Sequence, residues 1–285
     1  MKLMKKISLI ASFVFLVPFL CAGSETPQRV VSLAPSITES LYSLGQEKKL
    51  VAVTSYCDYP DETKDKKVIG NVVNPNIEKI FSLSPDLILS AGGINRSQTI
   101  EKLKSLGLTV VVLETCNSFD DVIRNFDRLG SLMGAEAAAK EITEKVGMEI
   151  RSITERLEDV PSVSVFWEVE ANPLIGVGGR SFANEFIWRS GGVNIFADAS
   201  VMYPRVSREE VLRRNPEVIV LVTMGNVTAK EKMYWRKFKD IDAVKDDRIY
   251  VIDGNKVCRP TPVSFLTGLK EVATLLHPEV FGKKE

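Results

Sequence analysis

Thirteen residues of the chain recur in altered form in its second half. Ile77-Glu78-Lys79-Ile80-Phe81-Ser82-Leu83-Ser84-Pro85-Asp86-Leu87-Ile88-Leu89 lines up with Arg208-Glu209-Glu210-Val211-Leu212-Arg213-Arg214-Asn215-Pro216-Glu217-Val218-Ile219-Val220. Each copy puts a Glu in the first turn of a short helix and stops that helix at a Pro seven residues on. An acid and an apolar strand follow. Helix–Pro–acid–strand is a common local pattern, but the fixed Glu-to-Pro spacing marks an internal structural repeat. A unit of this kind in both halves restricts the fold to two related α/β parts. Glu78 and Glu209 then occupy equivalent places on the two.

The pattern around the repeat agrees. In the first half Arg29–Leu33, Leu50–Thr54, Asp86–Ser90 and Leu108–Leu113 read as strands. Ser36–Leu44, Ile77–Leu83 and Gln98–Leu106 between them carry helical spacing. Ser36-Ile37-Thr38-Glu39 has the form of a capping box at a helix start. In the second half Ser162–Glu168, Leu174–Val177, Glu217–Thr223 and Arg248–Ile252 read as strands. Between the halves Ser118–Leu132 is helical. Ala135–Asp159 is a longer helix with a narrow apolar stripe, and at 1.5 Å per residue it spans roughly 35 Å. No Gly/Ser/Pro-rich linker interrupts the chain. The expected fold is therefore α/β: two lobes with mostly parallel sheets, joined by one long spine helix, with a ligand cleft between them. The expected boundaries are 24–134 for the N-terminal lobe, 135–160 for the spine and 161–285 for the C-terminal lobe.

The first 23 residues stand outside this scheme. Lys2, Lys5 and Lys6 precede the uncharged run Ile7–Ala22, and Ala22-Gly23-Ser24 follow. A basic start, a short apolar core and a small-residue exit describe a secretory signal peptide. A retained anchor is the alternative, but the run is shorter than a spanning helix and holds Pro18. Lipid attachment at Cys21 is a third option, disfavoured because Pro18-Phe19-Leu20 lack a small residue before the cysteine. The mature protein is expected to be extracytoplasmic.

Charge and rare residues narrow the function. The 37 basic and 37 acidic side chains cancel and are scattered, so nothing marks a nucleic-acid partner. The four cysteines form no C-x-x-C pair. Cys57 and Cys116 both follow strands of one lobe, so an exported chain could pair them, leaving Cys258 free; three reduced thiols are the alternative. The single histidine, His277, lies in a Pro-adjacent tail, and no Gly-x-Ser-x-Gly elbow precedes a helix, which speaks against an exported α/β hydrolase. Gly176-Val177-Gly178-Gly179-Arg180-Ser181 follows a strand, yet lacks both the dinucleotide spacing and the P-loop ending; a tight turn accounts for it better. Asn95-Arg96-Ser97 and Asn226-Val227-Thr228 fit the glycosylation triplet, a match that arises often by chance. Tyr56, Tyr59, Trp167 and Tyr203 fall at or just after strand ends. The carboxyl ends of strands line the ligand crevice of an open α/β sheet, so together these four imply an aromatic-lined cleft, although core packing would explain any one of them.

Several ordered motifs carry a family resemblance. Arg29-Val30-Val31-Ser32-Leu33-Ala34-Pro35-Ser36-Ile37-Thr38-Glu39, Ser55-Tyr56-Cys57-Asp58-Tyr59-Pro60, Asn74-Pro75-Asn76-Ile77-Glu78, Gly191-Gly192-Val193-Asn194-Ile195-Phe196-Ala197-Asp198 and Val206-Ser207-Arg208-Glu209 resemble the helical-backbone (class III) periplasmic substrate-binding proteins of ABC importers. The Ser-Tyr-Cys-Asp-Tyr-Pro stretch is most similar to the cobalamin-binding branch. The resemblance implies a monomeric receptor, not an enzyme, that hands a corrinoid to a dimeric permease and carries no cofactor of its own. It also implies that Pro35, Tyr56, Tyr203 and Arg259 contact the corrinoid, and that Glu78 and Glu209 dock onto permease arginines. Where the cobalamin branch has Trp, this chain has Asn71, Ala91 and Tyr203. A ferric siderophore is the alternative cargo, with Arg259, Arg180 and Arg205 as anion partners. Haem would call for an axial His, and His277 lies far from the strand ends.

Overall fold

A computed structural model describes residues 26–222 and 229–282. Residues 1–23 with Cys21, the terminal Thr223 of one expected strand, and the Asn226 triplet lie outside the described residues. The first half runs β1 (Val30–Ser32), α1 (Pro35–Ser43), β2 (Leu50–Val53), β3 (Lys67–Val68), α2 (Ile77–Ser82), β4 (Leu87–Ala91), α3 (Ser97–Ser105) and β5 (Val110–Leu113). Two long helices follow, α4 (Phe119–Met133) and α5 (Glu136–Glu155). The second half runs β6 (Val163–Ala171), β7 (Leu174–Gly176), α6 (Phe182–Arg189), β8 (Gly192–Asn194), α7 (Arg208–Arg214), β9 (Val218–Val222), α8 (Ala229–Trp235), α9 (Asp242–Lys245), β10 (Ile249–Ile252), α10 (Gly254–Val257), α11 (Pro262–Leu276) and α12 (Pro278–Phe281).

The strands form two sheets. One has the order β3-β2-β1-β4-β5, and all its pairs are parallel. The other has the order β10-β9-β6-β7; β8 pairs in parallel with the first part of β6, while β7 runs antiparallel to its last part. Side chains alternate across each strand. Val163, Val165 and Trp167 of β6 therefore join one core with Val218, Val220 and Val222 of β9. Phe166, Ile219 and Leu221 join another on the opposite face. The first sheet divides in the same way: Val30, Leu87 and Leu89 lie on one face, Val31 and Ile88 on the other.

The repeat extends beyond its sequence. Asn76 caps α2 by accepting the Lys79 N–H at 2.8 Å, and Ser207 caps α7 by accepting the Glu210 N–H at 3.1 Å. The aligned Ser84 and Asn215 both have φ 45°. Asp86 accepts the Arg29 N–H at 3.0 Å, and Glu217 accepts the Ser164 N–H at 2.7 Å. Each acid thus pins the strand that follows it to the central strand of its sheet.

The helix pair between the halves belongs to both. Phe119 and Val122 of α4 lie in the core against β6, while Phe126, Leu129 and Met133 lie in the core against β4. Along α5, Ala139 belongs to the first-half core and Val146, Ile150 and Ile153 to the second-half core. The two helices approach closely at Gly130, where an added Cβ would come within 2.6 Å of the Ala139 Cβ. Helix α5 is 20 residues, about 30 Å, shorter than the stretch read from sequence. The Phe265 ring of α11 packs, tilted, with its centroid 4.6 Å from that of Phe119 and 4.5 Å from that of Phe186. A fully buried side chain of that size contributes about 1.5–3 kcal/mol.

Three expectations need correction. The capping box is not formed: α1 starts at Pro35 behind Ala34, with no side-chain cap, and Glu39 turns elsewhere. Trp167 is not at a strand end but in the middle of the nine-residue β6. Cys57 and Cys116 are free thiols. They follow β2 and β5, which the sheet order sets three strand intervals apart, about 14 Å, whereas a disulfide needs Cα atoms within about 7 Å.

Candidate functional site

The carboxyl ends of the parallel strands in both sheets open onto one cleft. Its deep part has a volume of about 400 Å³. One wall comes from the first turn of α1 (Ser36, Ile37), the turn after β4 (Gly92, Gly93, Ile94) and the segment after β5 (Thr115, Cys116). The other wall comes from Trp167, Val169, Phe182, Tyr203, Cys258 and Pro260. Phe126 and Leu129 of α4 line it as well. A shallower recess of about 230 Å³ shares Ser36, Ile94, Cys258 and Pro260 with the deep part and adds Pro35, Tyr56, Asp58, Asn255 and Arg259.

Backbone hydrogen bonds to Asn95 hold the first wall. Its amide donates to Leu33 O at 3.1 Å and to Val72 O at 2.8 Å, and its Oδ1 accepts from Ser90 Oγ at 2.9 Å. Both amide hydrogens are thereby engaged, so the Asn95 triplet is a loop anchor. On the second wall the glycines of the 176–181 run serve close approach. A Cβ on Gly178 would lie 2.3 Å from Val201 O, and one on Gly179 2.6 Å from Ala197 O. This contact presses the loop bearing Tyr203 against the cleft, while Ser181 caps α6 and sets Phe182 into the wall.

The residues singled out in the sequence separate into groups. Tyr203 lines the deep part and is half-exposed. Trp167 also lines it, but as floor: it is 1% exposed and stacked on Phe186 at 6.2 Å. Pro35, Tyr56 and Arg259 meet in the shallow recess. Tyr59 lines neither part and faces a separate groove. Of the three arginines considered as anion partners only Arg259 lines the cleft; Arg180 is turned to Ser200 O and Arg205 lies in a bridge to Ile175. Ala91 lines the deep part where Asn71 does not. His277 is buried at the end of α11, with Nδ1 3.2 Å from Glu279 and Nε2 3.3 Å from Gly191 O. Glu78 and Glu209 are exposed in the first turns of α2 and α7. Hydrogen bonds from its own backbone N–H and from Ser207 hold the Glu209 carboxyl below its ordinary value.

Two polar contacts that the sequence did not reveal cross between the halves. Arg259, 7% exposed, donates to Asp58 and to Asn255 Oδ1 at 2.9 Å, with its guanidinium 5.7 Å from the Tyr59 ring. Its Nη1 is buried without a partner. Glu39 of α1 accepts from Thr261 Oγ1 at 2.5 Å and from Ser264 Oγ at the start of α11. Burial pushes the Glu39 carboxyl above its ordinary value, against the lowering effect of Ser264, Thr261 and Arg259. Cys116 accepts from Asn125 at 3.2 Å; burial above all pushes its thiol up, so it lines the cavity as a neutral group. The signal for this wall was available in the Ala91-Gly92-Gly93 exit of an apolar strand. Among the described residues no group of three or more His, Cys, Asp or Glu side chains is placed to hold a metal ion.

A cleft between two mostly parallel sheets, with apolar walls and a few buried hydrogen-bonding groups, defines a solute receptor of the two-lobed type. The chain belongs to the periplasmic binding protein family, whose profile matches residues 30–255. It is a binding protein rather than an enzyme, and the family is extracytoplasmic. The vitamin B12-binding protein of Vibrio cholerae is 34% identical over 279 residues, covering 95% of this chain and 97% of that one. An uncharacterized ABC transporter substrate-binding lipoprotein of Bacillus subtilis is 32% identical over 261 residues, covering 90% and 82%. The crystal structure of the Vibrio cholerae periplasmic vitamin B12 binding protein superposes with a TM-score of 0.76 at 29% identity, over 88% of this chain and 97% of that one. Relatives of this kind serve ABC transporters, and a permease is the corresponding partner here. No helix among the described residues is long and apolar enough to cross a membrane.

Proposed function

We propose that this protein captures cobalamin or a related corrinoid outside the cytoplasm and delivers it to an ABC permease. The observation that carries the reading is the cleft itself, a slot between apolar walls with Phe182 and Tyr203 on one side, Ile37 and Ile94 on the other, and the buried Trp167 beneath as floor. A corrin ring is a wide flat disc with amides around its rim. Aromatic and aliphatic side chains cover its faces, while Arg259, Asn255 and Ser36 at the shallow recess offer hydrogen bonds to the rim. Likeness to vitamin B12-binding proteins over nearly the whole chain supports the same reading.

Residues 1–23 act in this reading as the export signal, and the mature receptor works as a monomer. Its lobes are residues 24–134 and 161–285, with 135–160 as the connecting spine. Glu78 and Glu209 meet basic residues of the permease, one per lobe. Topology favours this, because helices α2 and α7 run antiparallel to their strands and so begin at the strands' carboxyl edge, beside the cleft.

Isothermal titration of the mature protein with cyanocobalamin and with several ferric siderophores tests the cargo. Saturable binding of cyanocobalamin alone is expected, and Tyr56→Ala and Tyr203→Ala each weaken it by about 1–3 kcal/mol. A siderophore that binds while cyanocobalamin does not overturns the corrinoid reading. Unchanged cyanocobalamin affinity in both variants removes the proposed pocket.

A further inference from the structure

Charge is unevenly spread along the cleft. Among the described residues the deep part has one charged lining side chain, Glu114, and the shallow recess has three, Asp58, Asp253 and Arg259. Arg259 is therefore the one basic group there, set against three carboxylates. It is also already engaged. Its Nη2 donates to Asp58 and, at 2.9 Å, to Asn255 Oδ1.

The ion pair joins the two halves. Asp58 lies on the loop after β2, and Arg259 follows α10. The Arg259 side chain is 8% exposed and the Asp58 side chain 61%. The guanidinium is thus set into the wall, while the carboxylate beside it stays in contact with solvent. Both line the recess that the rim of a cargo would occupy.

An anionic group entering this recess meets the pair with the wrong chemistry. It accepts hydrogen bonds and donates none, so it offers nothing to Asp58, and to reach Arg259 it must displace a carboxylate already bonded there. Asp253 in the same lining repels it further. A carboxamide differs. Its oxygen accepts from a guanidinium and its NH2 donates to a carboxylate, so it can face an Arg–Asp pair without displacing either member. Like charges placed in this way suppress wrong partners. We propose, resting on the corrinoid reading, that Asp58 is a specificity-determining residue of the cleft: paired with Arg259, it cancels the one positive charge there, admits a rim of neutral amides and turns away cargo that presents a carboxylate at the same place.

Titration at neutral pH of wild type, Asp58→Asn and Asp58→Glu tests this, with cyanocobalamin and its b-, d- and e-monocarboxylic acids as probes. Each acid has one rim amide replaced by a carboxylate. The readout is the ratio of cyanocobalamin affinity to acid affinity, in which any general loss of binding cancels. Wild type should disfavour at least one of the acids by roughly tenfold or more. In Asp58→Asn, where Arg259 keeps a neutral acceptor, that ratio should fall to about twofold or less, and in Asp58→Glu it should stay near that of wild type. Wild type binding all three acids as tightly as cyanocobalamin overturns the proposal, as does an unchanged ratio in Asp58→Asn. A ratio lost in Asp58→Glu as well assigns the effect to loop packing rather than charge, and overturns it too. If wild type does not bind cyanocobalamin, the corrinoid reading falls and takes the proposal with it. Cyanocobalamin binding accompanied by any of the other adverse results removes the role of Asp58 alone.

Discussion

Glu168→Gln should change how the stability of this protein depends on pH. Glu168 lies on β6 with no exposed surface, on the face opposite Trp167. Its Oε2 accepts from Trp235 Nε1 at 2.7 Å, and its Oε1 has no partner. Burial pushes the carboxyl from its ordinary 4.5 up to about 8; the Trp235 bond and Arg208 oppose this, while Glu231 and Glu170 add to it. The folded protein therefore holds this proton more tightly than the unfolded chain. The resulting stabilisation is complete below the unfolded value near 4.5 and is lost as pH rises through about 8. A shift of that size, at 1.36 kcal/mol per pH unit, is worth on the order of 5 kcal/mol between the two limits. The glutamine amide keeps an oxygen for Trp235 and does not titrate. Urea unfolding of wild type and variant, at steps from about pH 5 to about pH 9, reads the difference. The variant should gain several kcal/mol relative to wild type across that window, with the change concentrated on the alkaline side of pH 5. Parallel stability curves would refute the argument, because they would mean that Glu168 titrates alike in the folded and unfolded chains.

The remaining predictions concern transport. Reversing both docking charges, Glu78→Arg with Glu209→Arg, should abolish corrinoid uptake in a reconstituted importer and leave ligand affinity within about twofold of wild type, because exposed charges at an interface govern orientation and encounter more than cleft contacts. Normal uptake by that variant removes the docking role, and lost ligand binding moves the glutamates into the pocket. Solution scattering with and without ligand should show nearly the same radius of gyration, since two packed helices rather than a loop hinge connect the halves. A large decrease on binding would show that the cleft closes like a hinged jaw.

How much of this was legible in the sequence depended on how far each cause reaches along the chain. Strands betray themselves locally, and β1, β4, β6 and β9 fall within a few residues of their expected spans because apolar alternation and flanking Pro or acid suffice. The equivalence of α2 and α7 was legible for the same reason. Glu39 was misread because Ser-x-x-Glu looks the same whether the Glu reaches back three residues or across to Thr261, 222 residues away. The supposed Cys57–Cys116 pair failed on strand order, which hydrophobic patterning does not encode. Tyr59 and Tyr56, three residues apart on one loop, face different recesses because the chain turns between them. Trp167 was expected at a strand end because β6 continues to Ala171, well past Glu168, where the apolar signal ends.

The helices α4 and α5 have a consequence for how the molecule comes apart. Phe119 and Val122, on the helix that follows the first half, complete the core of the second, while Ala139, on the helix that leads into the second half, completes the core of the first. A cut between Phe119 and Ala139 would strip apolar side chains from both cores, and one further along α5 would still part Phe119 and Val122 from the second. The unit that binds has two lobes, but the unit that melts has one: heat or denaturant should meet a single cooperative transition, and neither half expressed alone would inherit a complete interior.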